Sequence, residues 1–149
     1  MRNKSVLTLM FNIYGKPKID WMGYGVTPDN TLTYHHIIKV EDGGDASIEN
    51  GAILTSRAHS RLHSIEVLDP KLYEEYQYWF RLINDMQCPP TFEVMQIMYN
   101  LKDRLEYDIS NKKQIKEQNR SLVMKPKEKN PNKKSPNNTW KPSKVVILS

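Results

Sequence analysis

Apolar residues at positions 6, 7, 9, 10, 13 and 14 recur at the spacing of one helix face, and Gly15 and Pro17 close the pattern, so Val6–Tyr14 is predicted to be a short amphipathic helix. Residues 19–33 are rich in Gly, Pro, Asp and Asn and read as loop with room for one short strand. The β-prone run TLTYHHIIKV (31–40) then ends in the turn-forming Glu41-Asp42-Gly43-Gly44-Asp45. Gly51-Ala52-Ile53-Leu54 suits a second strand, and Thr55 or Ser56 is a good N-cap for a helix from Arg57 to about Ile65. The order is strand, long loop, strand, helix.

Asp69-Pro70 has the form of an N-cap followed by proline at the first helical position, and Leu72, Tyr73, Tyr76, Trp79, Phe80, Ile83 and Met86 make one apolar stripe over about 70–87. Pro89 and Pro90 break the chain. Thr91 can cap again, and Phe92, Met95, Met98, Tyr99, Leu101, Leu105 and Ile109 carry a further helical pattern over about 91–110. Such stripes are first of all packing surfaces; no cofactor box is implied.

Length and charge change the picture only at the C-terminus. At 149 residues the chain has room for one ordinary core. The net charge of +5 is unevenly placed: residues 1–110 carry −4 and residues 111–149 carry +9. The latter are dominated by Lys, Asn and Pro and hold too little apolar surface to offset the entropy of ordering them, so 111–149 is expected to be a disordered basic tail with affinity for polyanions. Residues 1–110 are expected to be the folded domain.

A single cysteine, Cys88, excludes an internal disulfide framework and any zinc site built from paired cysteine knuckles, and fits a reducing compartment. No stretch approaches the roughly 20 apolar residues needed to cross a bilayer. The run at 6–14 is interrupted by Thr8 and Asn12 and leads into Lys16, Lys18 and Asp20, so it reads as part of the fold rather than a leader. A soluble cytoplasmic protein without a membrane partner is the expectation.

All four histidines fall between positions 35 and 63, as the adjacent pair His35-His36 and the spaced pair His59 and His63. A separation of four places His59 and His63 on one helix face, where both imidazoles can reach a common ion. Adjacent strand residues point to opposite faces, so His35 and His36 divide naturally into one ligand and one free base. Taken singly, each histidine is more often an ordinary core or surface residue; their joint placement around a strand, Gly-turn, Asn and helix carries the signal.

Tyr34-His35-His36-Ile37-Ile38, then Gly43-Gly44, then Glu49-Asn50-Gly51-Ala52-Ile53-Leu54, then His59-Ser60-Arg61-Leu62-His63 resembles the HNH nuclease motif, in its colicin-like arrangement of a double His, a central Asn and two His one helical turn apart. The resemblance covers about 30 of the 149 residues. It implies an α+β domain with a ββα-metal (HNH) centre in 31–66 and flanking α-helices. By the same resemblance His36 matches the general base, His35, His59 and His63 match the ligands of one divalent metal ion (Mg2+, Mn2+, Zn2+ or Ni2+), and Asn50 matches the residue that holds the motif loop and completes the catalytic set. Many members carry Asp where His35 stands, so this site is richer in nitrogen. Many also carry two Cys-x-x-Cys pairs around a structural zinc; here packing by the helix over 70–86 must take over that role. Arg57 and Arg61, on the ligand-bearing helix, are candidate phosphate contacts.

The implied function is metal-dependent cleavage of DNA to 5′-phosphate and 3′-hydroxyl ends, with RNA open as a substrate and the oligomeric state undetermined. A non-catalytic DNA-binding module that keeps the HNH scaffold, and a nuclease toxin, are the alternatives.

Overall fold

In the computed structural model of the chain, which describes residues 2–124 with side chains to 113, strand β2 (Gly51–Thr55) is buried at every position. It pairs antiparallel with β1 (Leu32–His36), placing Thr33 opposite Leu54 and His35 opposite Ala52. The free edge of β2 is covered by the preceding loop: the Trp21 N–H donates to the Ile53 carbonyl at 3.1 Å, and the Thr55 N–H donates to Asp20 Oδ2 at 2.8 Å. Asp20 Oδ1 also accepts from the Met22 and Tyr24 N–H groups. This wholly buried carboxylate satisfies three backbone donors, although its burial pushes its pKa up, with the N–H groups opposing that shift. Isolated bridges Ile19 to Gly25 and Thr27 to Asn30 complete a loop that is far more ordered than its composition suggests.

Among the described residues four helices accompany this two-stranded sheet, making an α+β fold, and α1, α2 and α3 pack on its strands. Helix α1 (Asn3–Tyr14) buries Val6, Leu7, Met10 and Tyr14 and stops at Gly15, whose φ of 77° suits a residue without a Cβ. Helix α2 (Ser56–Leu68) is capped by Thr55, whose hydroxyl accepts from the Ala58 N–H. Helix α3 (Pro70–Met86) is capped by Asp69 with proline in its first turn, and buries Leu72, Tyr73, Tyr76, Phe80 and Ile83. Burying each of these side chains is worth roughly 1.5–3 kcal/mol. Met86, at the end of the expected stripe, is exposed.

The expected packing role of α3 is visible in its polar contacts as well. Asn84 Nδ2 donates to the carbonyls of Ile48 and Gly51, Arg81 donates to the Glu49 carbonyl, and the Asn84 carbonyl accepts from the Tyr14 hydroxyl. One helix therefore ties α1 to the start of β2.

Helix α4 (Phe92–Met124) begins at a Thr91 cap and buries Met98, Leu101 and Leu105, but Phe92, assigned to the same stripe, is 74% exposed. It also runs past the boundary expected near 110. Residues 111–124 contain no Pro or Gly, and half of them are Lys, Gln, Arg or Glu, all good helix formers, so the first part of the segment expected to be disordered is helical. The rest of the expected disordered tail, 125–149, lies outside the described residues. By its contacts the chain divides into Met1–Asn111 and Lys112–Ser149, and the site lies entirely in the first unit. No helix among the described residues is long and apolar enough to cross a membrane.

Candidate active site

β1 ends at His36, and the chain must turn at once to reach β2 from the other side. Asn50 controls that turn. Its backbone carbonyl accepts from the Ile37 N–H, its Oδ1 accepts from the Ile38 N–H at 2.8 Å, and its Nδ2 donates to the carbonyls of Ile38 and Asp45. Gly44 is required beside it, because a Cβ there would collide with the Ile38 carbonyl and the Asn50 amide. Tyr34 adds a second tie: its hydroxyl donates to the Ser47 carbonyl at 2.6 Å and accepts from the Ser47 N–H. Asn50, expected in the catalytic set, is buried and forms no part of the cavity described next; its side chain bonds only within the turn among the described residues.

The loop fixed in this way frames an open cavity of about 440 Å³ lined by His35, His36, Lys39, Val40, Glu41, His59, His63, Glu66 and Tyr73. All four histidines thus reach one space. Strand alternation separates the first two: His35 turns toward α2 and α3 and is only 4% exposed, whereas His36 lies half-buried with its ring edge-on to Tyr34 at 4.9 Å. His36 makes no side-chain hydrogen bond to another described residue.

His35 is held on several sides. Its ring lies edge-on to Phe80 and His59, its Nε2 is 3.0 Å from Gln77 Oε1, and its Nδ1 is 3.4 Å from His59 Nε2. His59 Nδ1 in turn is 3.0 Å from Thr33 Oγ1. Burial lowers the His35 pKa to about 4, with the Gln77 contact opposing and the other histidines adding to the shift. Burial, then the nearness of His63 and His36, lowers that of His59. Both imidazoles are therefore neutral near pH 7, the form that binds metal ions.

The separation of the two facing nitrogens tests whether these residues fit a metal ion. Two nitrogens each about 2.0–2.1 Å from a tetrahedral ion lie about 3.4 Å apart. His35 Nδ1 and His59 Nε2 have that spacing. His63, one turn further along α2, stacks its ring on that of His59 at 5.3 Å and 13° between planes, with its side chain 65% exposed and Nδ1 4.0 Å from Glu66 Oε1. Among the described residues no group of three His, Cys, Asp or Glu side chains is already gathered as a ligand set. A two-nitrogen bite is in place, and the third expected ligand stands beside it.

The chain matches no family model, no curated protein and no solved structure.

The cationic residues are placed differently from expectation. Arg61 turns away from the cavity and pairs with Glu106 of α4 at 2.6 Å, where the Tyr24 hydroxyl also donates to the same carboxylate. Arg57 is exposed, with its backbone N–H donating to Asn30 Oδ1, and it does not line the cavity. The cavity's lysine is Lys39, ion-paired with Glu66. Sequence reasoning passed over Lys39, Glu66, Thr33 and Gln77. For Thr33 a signal existed, since it stands two residues before His35 and so shares its strand face. Gln77 and Glu66 were hidden among ordinary polar helix positions.

Proposed function

We propose that the protein is a metal-dependent endonuclease of the HNH type, hydrolysing DNA phosphodiester bonds to 5′-phosphate and 3′-hydroxyl ends. The observation that carries this reading is the 3.4 Å approach of His35 Nδ1 and His59 Nε2 in the wall of the cavity that also holds His36. One divalent ion held by His35 and His59, with His63 beside them, would neutralise the developing charge on phosphate and assist departure of the 3′ oxygen.

The remaining work falls to the chain itself. His36 is accessible from the cavity and makes no side-chain hydrogen bond to another described residue, so its imidazole can take the proton of an attacking water. The water oxygen bonds to phosphorus as the bond to the 3′ oxygen breaks. Tyr34 and Asn50 keep His36 at the cavity mouth by anchoring the turn that follows it. Lys39 offers a cation to the substrate phosphate, and Glu66 keeps that cation in place before substrate arrives. The basic residues of 111–149 add sequence-independent, salt-dependent affinity for the polyanion.

The test is nicking of supercoiled plasmid by the purified full-length protein with Mg2+, Mn2+, Zn2+ or Ni2+, with an RNA substrate alongside. Cleavage that EDTA abolishes and that His36→Ala reduces at least about 100-fold is expected. Metal binding without cleavage of either nucleic acid would instead favour a non-catalytic DNA-binding module.

A further inference from the structure

We infer that Thr33 and Gln77 are positioning residues that set the tautomers of His59 and His35, so that two ring lone pairs are aimed at one point between them. The inference rests on the proposed metal site and adds two residues to it.

The assignment follows from hydrogen-bond bookkeeping. The Gln77 side-chain NH2 donates to the Ile37 carbonyl, which can only accept, so the Gln77 amide cannot be flipped. Its Oε1 therefore faces His35 Nε2 at 3.0 Å and requires a proton on that nitrogen. A neutral imidazole carries one N–H, and so His35 Nδ1 bears the lone pair. On the other side, Thr33 Oγ1 donates its only hydrogen to the Leu54 carbonyl at 2.8 Å, across the strand pair that places these two residues opposite each other. Toward His59 Nδ1, 3.0 Å away, the hydroxyl can only accept. His59 Nδ1 then carries the proton and Nε2 the lone pair.

The consequence is a pair of acceptors, His35 Nδ1 and His59 Nε2, facing each other at 3.4 Å with no hydrogen between them. Two lone pairs so close repel unless a cation lies between, and the neighbouring acceptors, Gln77 Oε1 and Thr33 Oγ1, leave neither ring an easy way to turn its proton inward. Partners of this kind both orient a ligating imidazole and raise its basicity, and losing one typically costs about 10–100-fold in metal affinity.

Long-range 1H–15N NMR of the full-length, metal-free protein near pH 7.5 reads the tautomers directly. His35 is expected as the Nε2–H form and His59 as the Nδ1–H form. Thr33→Val keeps the shape but removes the acceptor; it is expected to shift His59 toward Nε2–H and to weaken Zn2+ or Ni2+ binding about 10–100-fold by calorimetry, while Thr33→Ser keeps both properties. Gln77→Met makes the same test on His35, and stays informative if the strand variant folds poorly. A parent protein with His59 protonated on Nε2, or a folded Thr33→Val protein that binds metal as tightly as the parent, overturns the inference. Correct tautomers and metal affinity without DNA cleavage would leave it standing and sink the nuclease proposal alone.

Discussion

The four histidines divide into an inner pair, His35 and His59, and an outer pair, His36 and His63, and the two places that hold them are built differently. The inner rings are enclosed by β1, α2 and α3, each held by a polar partner at one nitrogen while their other nitrogens face each other. The outer rings lie against aromatic neighbours, His36 on Tyr34 and His63 on His59 with the Glu66 carboxylate 4.0 Å away, and otherwise face the cavity. In the proposed metal-assisted hydrolysis, the enclosed pair would grip the ion rigidly and the accessible pair would leave a base free to move a proton. The same sequence unit supplies both because strand alternation sends neighbouring residues to opposite faces.

The sharpest division is in activity. His36→Ala is expected to lower plasmid cleavage by about 10²–10⁴-fold while leaving Zn2+ or Ni2+ affinity near that of the parent. His59→Ala should lose both, and calorimetry alongside the cleavage assay separates the two outcomes. Equal loss of metal binding in both variants would erase the distinction between the pairs.

Asn50→Ala removes three side-chain hydrogen bonds from the turn that follows β1 and is expected to cost about 2–4 kcal/mol in denaturant unfolding. Because that turn carries His36, the proposed base, cleavage by the folded fraction should fall more than metal affinity does.

Burial of the inner pair also predicts a pH dependence in the metal-free protein. His35 has an ordinary value of 6.5 and is held down to about 4 by burial, so between these values the unfolded chain binds a proton that the folded chain does not. Stability should therefore fall as pH drops from about 6.5 toward 4, by up to about 3 kcal/mol from this residue. Urea melts in EDTA across that window check it, and replacing His35 with Gln should flatten the curve. Smallest of all, His63→Ala is expected to weaken metal binding by about tenfold, less than His59→Ala, because its exposed ring is not held toward the ion beforehand.

Much of this architecture was legible from residue order. The stripe of α1, the Thr55 cap of α2 and the Asp69-Pro70 start of α3 all follow from local spacing and capping chemistry, and each lies where the pattern put it. The gathering of the four histidines was legible from their confinement to positions 35–63. What local pattern could not carry was pairing across the fold. Arg61 looked available because Glu106, its partner, lies 45 residues away. Gln77, 42 residues beyond His35, looked like one more polar position on α3. Asp20 sat in a stretch whose composition suggested loop, yet its carboxylate is wholly buried and organises three backbone donors. The reach of α4 to Met124 was missed because net charge was allowed to outweigh helix propensity over residues with no Pro or Gly.

The proposed chemistry depends most on an ion seated between His35 and His59. Crystals of the full-length protein soaked in Ni2+ and measured at the nickel absorption edge place it directly: a single anomalous peak about 2.0–2.1 Å from both His35 Nδ1 and His59 Nε2 is the expected result. An anomalous peak elsewhere, with those two nitrogens still facing each other across an empty gap, would contradict it.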